Sequence, residues 1–142
     1  MQKQEILKIA NATYKSFPNK IQKPLFKIFN KKEFQEYLNG SPLKPNADLS
    51  PSFVSHLPSG ELIGFCQATI NKMIKGKSKE FQILFLESIT LHELYHIKNR
   101  NKNISIIEAI NSENQVNKEF AKNHPKLAEM LKDFMIVGRK LL

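Results

Sequence analysis

Residues His92-Glu93-Leu94-Tyr95-His96 place two imidazoles four positions apart, with a carboxylate next to the first. On an α-helix, positions i and i+4 stand one turn apart on the same face. Both histidines can therefore turn a ring nitrogen toward one metal ion. Glu93 then lies where a carboxylate can take a proton from an attacking water. Two ligands and a base within five residues are the core of a hydrolytic metal centre, for which zinc is the usual ion. Glu87-Ser88-Ile89-Thr90-Leu91 runs into the motif without Pro or Gly, so a helix can carry it. Ile89, Leu91, Leu94, Tyr95 and Ile97 supply the faces turned away from the histidines. Lys98 to Asn103 ends the helix, with cations where its dipole favours them. The competing reading is a surface helix with two solvated histidines.

A catalytic zinc site needs a third protein ligand and one open position. The extension with Gly three residues and His six residues beyond the second histidine is absent, because Asn99 and Lys102 stand there. A glutamate from a second helix is the alternative. Ser105-Ile106-Ile107-Glu108 reads as a capping box that opens such a helix. Its expected inward stripe is Ile106, Ile110, Glu113, Asn117 and Phe120. A carboxylate on an apolar stripe is costly unless it is paired or metal-bound. Glu113 is therefore the expected third ligand. Asn117, one turn later, can hydrogen-bond Glu113 or a ligating histidine. The alternative is a narrower stripe with Glu113 at its solvent edge. Glu108, expected in the cap, and His124, before Pro125 at a helix end, are the competing candidates.

The elements around the motif follow from periodicity and breakers. Gln4 to Phe17 reads as a helix stopped by Pro18, and Lys31 to Leu38 as another that ends at Asn39-Gly40. Ile21 to Phe29 is short and broken by Pro24, and Ser41 to Pro51 is a loop with three prolines. Ser52 to His56, Glu61 to Ile70 and Phe81 to Leu86 read as three strands joined by turns at 57–60 and 75–79, an antiparallel meander. Gly64 inside the middle strand marks a bulge or a close backbone approach. Lys126 to Leu142 reads as a final helix with Leu127, Met130, Leu131, Phe134 and Val137 inward. The expected class is α+β in one domain over residues 1–142: a small antiparallel sheet packed with N-terminal helices, the motif helix, the glutamate helix and a C-terminal helix.

With 142 residues the chain can bury a moderate core. It has no apolar run long enough to span a membrane and no secretory leader at its start, so a cytoplasmic protein without a membrane partner is expected. The single cysteine, Cys66, forbids an internal disulfide and reads as a small core residue. The net charge of +9 comes almost wholly from scattered lysines. Charge of this kind supports at most non-specific contact with nucleic acid, which is not the favoured partner.

The pattern resembles the compact gluzincin metallopeptidases, in which H-E-x-x-H is completed by a glutamate in an E-x-x-A-[ND] segment on the next helix. Here that segment reads Glu113-Asn114-Gln115-Val116-Asn117, followed by Phe120-Ala121, with Val116 in place of the family's alanine. The likeness spans roughly residues 86–121. It is strongest to small phage- and plasmid-associated peptidases of the repressor-cleaving type, and reaches more distantly to larger membrane-bound gluzincins. The resemblance implies a zincin-like fold, His92, His96 and Glu113 as zinc ligands, Glu93 as catalytic base, and Asn117 behind the ligands. It also implies a protein or peptide substrate, bound as an added strand beside Glu61–Ile70 or Phe81–Leu86. Candidate oxyanion donors are Tyr14, Tyr37, Tyr95 and His124, while His56 reads as a surface residue. The expected activity is zinc-dependent peptide-bond hydrolysis. The rival readings are a zincin scaffold that only binds a partner, and a peptidase directed to DNA-bound proteins.

Overall fold

The computed structural model of the protein describes residues 1–40, 44–99 and 106–139, the last seven of them by backbone alone. The elements run α1 (Lys3–Lys15), β1 (Leu25–Phe29), α2 (Lys31–Asn39), β2 (Ser52–Leu57), β3 (Gly60–Cys66), α3 (Gln67–Ile74), α4 (Lys79–Lys98), α5 (Ile106–Asn123) and α6 (Pro125–Arg139). The class is α+β, as expected. Among the described residues no helix is long and apolar enough to cross a membrane.

The sheet has three strands, but it is mixed rather than an antiparallel meander. Its order is β1-β3-β2, with β1 parallel to β3 and β2 antiparallel to it. The first strand is Leu25–Phe29, which follows Pro24 directly; a proline is tolerated just before a strand because it donates to no ladder there. Phe81–Leu86, expected as a strand, is instead the first half of α4. Ser78 caps that helix by accepting from the Phe81 amide at 3.1 Å. From Phe85 to Ile97 nearly every residue is buried, so α4 runs through the core covered on all sides, its polar residues included. A helix without a polar face loses its 3.6 period, and a short piece of it reads like a buried strand. Ser88 and Thr90 satisfy their buried hydroxyls by donating to the carbonyls of Leu84 and Leu86, each at 2.7 Å. Gln67–Ile70 also leaves the expected strand and opens α3, where the buried Thr69 hydroxyl bonds the Ala47 carbonyl.

The central strand β3 is buried from Glu61 to Cys66, as it is covered on both faces. Ile63 and Phe65 join Phe26, Ile28 and Val54 in the main core with α1, α4, α5 and α6. Leu62 and Cys66 face the other way, into a second cluster with Phe29, Phe34, Leu38 and Phe53 around α2. Cys66 is the core residue its context suggested. Gly64 marks a close approach: a Cβ there would lie 2.2 Å from Phe53 Cε1 and 2.8 Å from Phe29 Cε2. Both rings cross the glycine, and neither can withdraw from the α2 cluster without opening it. A Gly64→Ala protein is expected to lose about 1–3 kcal/mol or more by overpacking, read as a lower denaturant midpoint in urea. An unchanged midpoint would mean that the rings repack freely.

The glutamate helix departs from its expected stripe. Ile106 and Ile107 are exposed, and the buried line is Ala109, Ser112, Val116 and Phe120. The line fits the same period one register over, which leaves Glu113 at its border. Ser105 of the expected capping box lies outside the described residues, as do Lys102 and the rest of 100–105. On α6, Leu131 is buried and Leu127 and Met130 pack beside it. Phe134 and Val137 lie among the side chains not described.

Candidate metal centre

His92, Glu93 and His96 sit in the C-terminal half of α4, fixed by the fully buried neighbours Leu94 and Tyr95. The two imidazoles meet edge to face, 4.8 Å between centroids, with their Nε2 atoms 3.2 Å apart. From α5, Glu113 reaches across to both: Oε1 lies 2.8 Å from His92 Nε2 and Oε2 lies 2.8 Å from His96 Nε2. Phe120, two turns further on the same face of α5, packs its ring against His92 at 6.4 Å. The sequence placed these residues on two helices, and the fold brings them into one cluster.

The donor atoms fit a metal ion. A tetrahedral zinc about 2.0–2.1 Å from each ligand needs ligand atoms about 3.3 Å apart. The histidine pair has this spacing, and the carboxylate would draw back only a few tenths of an ångström. His92, Glu93 and His96 also bring one potential ligand atom each within 4.8 Å of the others. Two imidazoles and a carboxylate suit zinc and its first-row neighbours better than the hard, oxygen-preferring calcium and magnesium.

Glu93 occupies a different position. It is buried, 6% exposed, with its Oε1 4.0 Å from His92 Nε2. Burial pushes its carboxyl above the usual 4.5; the two histidines offset this in part, and the charge of Glu113 adds to it. Glu113 is the reverse case. Burial works against its charge, yet the charge of His92 and the hydrogen bonds from both imidazoles hold it well below 4.5. Burial alone would lower His96, but its bond to Glu113 and the two nearby carboxylates raise it above 6.5. Two carboxylates within one small cluster are thus driven in opposite directions, one toward holding a proton and one toward staying charged. Environments split in this way are typical of sites that do acid–base work.

The other candidates stand elsewhere. Glu108 is exposed in the first turn of α5. His124 binds the Tyr95 hydroxyl through Nε2 at 3.0 Å. Tyr14 donates to the Ile21 carbonyl, the Tyr95 hydroxyl meets His124, and the Tyr37 ring stacks on Phe53 in the α2 cluster, on the opposite side of the sheet from the main core. Asn117 is half-buried, one turn beyond Glu113. His56, on β2, is partly exposed as expected and pairs with the buried Glu61 opposite it.

The free sheet edge differs from expectation. Glu61–Ile70 contributes the central strand, which is paired on both sides, and Phe81–Leu86 is helical, so neither can take an added strand. The edge beside the motif helix is β2, which packs against α4. The Cys66 amide donates to the Pro51 carbonyl at 2.9 Å, which sets the alternation of the antiparallel ladder. Phe53 and Ser55 then bond to β3, and the backbone groups of Ser52, Val54 and His56 face outward. Sequence reasoning missed this edge because it depends on strand order. It also missed Glu119, a polar residue on the flank of α5 with nothing in its local pattern to single it out.

Compared with protein-family models, curated proteins and solved structures, the chain matches none of them.

Proposed function

We propose that this protein is a zinc-dependent metallopeptidase of the glutamate-completed kind, with His92, His96 and Glu113 as ligands and Glu93 as the general base. One observation carries the reading. Glu113, 21 residues beyond His92, reaches both motif histidines at 2.8 Å, while Glu93 stays buried beside them outside that set. A purely structural metal site needs no buried carboxylate next to its ligands, and a binding scaffold gains nothing from the cost of one.

Zinc, when bound, would supply a Lewis acid that polarises a carbonyl and acidifies water. The chain's residues do the rest. Glu113 and the two imidazoles hold the site rigidly, because all three come from helices packed in the core. Glu93, its proton affinity raised by burial, takes a proton from the attacking water on its carboxylate oxygen and passes it to the leaving amine nitrogen. The outward groups of Ser52, Val54 and His56 can receive an extended peptide as a fourth strand, which would bring its backbone alongside α4. A mixed sheet with an antiparallel edge strand against the motif helix also supports a zincin-like layout. The substrate class is therefore a protein or peptide in extended form.

The test is zinc content together with cleavage. The purified protein should hold one zinc per chain by elemental analysis. It should cleave unstructured polypeptide, stop on chelation and resume when zinc is returned. Absence of zinc, or cleavage that survives chelation, would end the proposal.

A further inference from the structure

We infer that a clasp beyond the metal cluster sets the position of the third ligand, with Tyr95 and Glu119 as its positioning residues. The inference rests on the metallopeptidase reading for its functional meaning, but its geometry stands apart from it.

Glu113 is useful only if α5 lies at one height and rotation against α4. Two contacts beyond the cluster hold it there. At the end of α4, the Glu119 carboxylate forks between Lys98 Nζ and Asn99 Nδ2, the latter at 2.6 Å. One turn earlier, the Tyr95 hydroxyl bonds His124 Nε2 at 3.0 Å and accepts from Asn123 Nδ2 at 3.3 Å. Lys98 also lies 5.7 Å over the Tyr95 ring, so the two contacts are joined. His124 is the corner between α5 and α6: its amide closes α5 on Phe120, and its carbonyl receives the Ala128 amide. Phe120 fills the space between, with its ring near His92, Tyr95 and His124.

The placement gives the clasp its effect. Glu119 and His124 lie six and eleven residues beyond Glu113 on one helix and its corner, so a slip there is carried rigidly to the ligand. Apolar packing by Val116 and Phe120 resists separation of the helices but tolerates sliding. Hydrogen bonds to a charged fork and a buried hydroxyl do not. Tyr95 is also the fourth residue of the H-E-x-x-H motif, so the helix that presents the histidines presents this anchor as well.

The experiment uses Tyr95→Phe, Glu119→Ala and the double variant in the full chain. Outer hydrogen-bond partners of metal sites are worth about 10–100-fold in affinity. Tyr95 and Glu119 bond no proposed ligand directly, so each single variant should weaken zinc binding by up to about 10-fold, the low end of that range, and the double variant by more than either. Cobalt(II) in place of zinc should lose the strong visible absorption of a low-coordinate site. His124→Gln, which keeps a polar group in reach of the hydroxyl, should retain more affinity than His124→Leu. Variants that melt earlier yet bind zinc and cobalt as the parent does would overturn the proposal. A metal-free arm separates this from the reading it rests on. Nuclear Overhauser contacts between the His96 ring and the Glu113 side chain should be present in the parent and lost in the double variant. If they persist there, the clasp is wrong. If the parent shows them but takes up no zinc, the metallopeptidase reading fails and this comparison still decides the clasp.

Discussion

A Glu93→Gln protein is expected to keep its zinc and lose cleavage by at least about 10²–10⁴-fold, the usual worth of a positioned general base. The amide has the shape of the carboxylate but cannot take the water's proton. Zinc should be retained because the proposed ligands are His92, His96 and Glu113, and Glu93 stands 4.0 Å from His92 Nε2. The substitution also removes a buried acid whose ionisation is opposed by its surroundings, so the metal-free fold should be no less stable at neutral pH. Cleavage rate and zinc content on the same preparation make the check. Parental activity in the variant would show that another group moves the proton. Loss of zinc would make Glu93 a ligand.

Zinc should stabilise the fold by an amount that grows with pH. At free zinc about one hundred times its dissociation constant, stabilisation is about 2.7 kcal/mol, or on the order of 10 °C in melting temperature for a chain of this size. The metal-free cluster follows the opposite trend. Glu113, lowered in the fold, contributes above 4.5, and its contribution is lost as pH falls through its folded value. His96, raised in the fold, contributes fully below 6.5 and loses that contribution as pH rises through its folded value. Glu93, raised, costs stability once pH climbs past 4.5 toward its folded value. The metal-free site is therefore at its best near pH 4.5, loses ground above it as Glu93 is made to ionise, and weakens further toward pH 8 as His96 loses its proton. Zinc must displace the proton on His96, so its binding strengthens over the same rise. Melting curves with zinc and with chelator should nearly coincide at pH 5 and separate widely at pH 8. A separation independent of pH would mean that the ion binds elsewhere.

The candidate site was legible before the fold because it is local. H-E-x-x-H needs only a helix, and a helix is a short-range structure whose period places His92 and His96 together. Glu113 was singled out because a carboxylate on an apolar stripe is costly unless paired; the observed buried line runs through Ala109, Ser112, Val116 and Phe120 and leaves Glu113 at its border, from which it still reaches both histidines. The errors were of a different kind. Phe81–Leu86 read as a strand because α4 is buried on every side, which erases the periodicity that marks a helix. Leu25–Phe29 went unassigned because its main partner is β3, some 35 residues later in parallel register, and no local pattern announces a parallel pairing.

By itself the sequence determined the residues of the candidate centre, the helical stretches that carry them and the buried cysteine; at Gly64 it suggested a bulge or a close backbone approach, where the structure has the Phe53 and Phe29 rings over the glycine instead. These depend on side-chain type and on spacings within one or two turns. Tertiary structure alone decided three things: the mixed sheet, β2 as the edge beside α4, and the fork of Glu119 onto Lys98 and Asn99 that fixes the approach of α5. Each joins segments far apart in the chain, where pairing is chosen by the packing of whole faces rather than by the preferences of neighbouring residues.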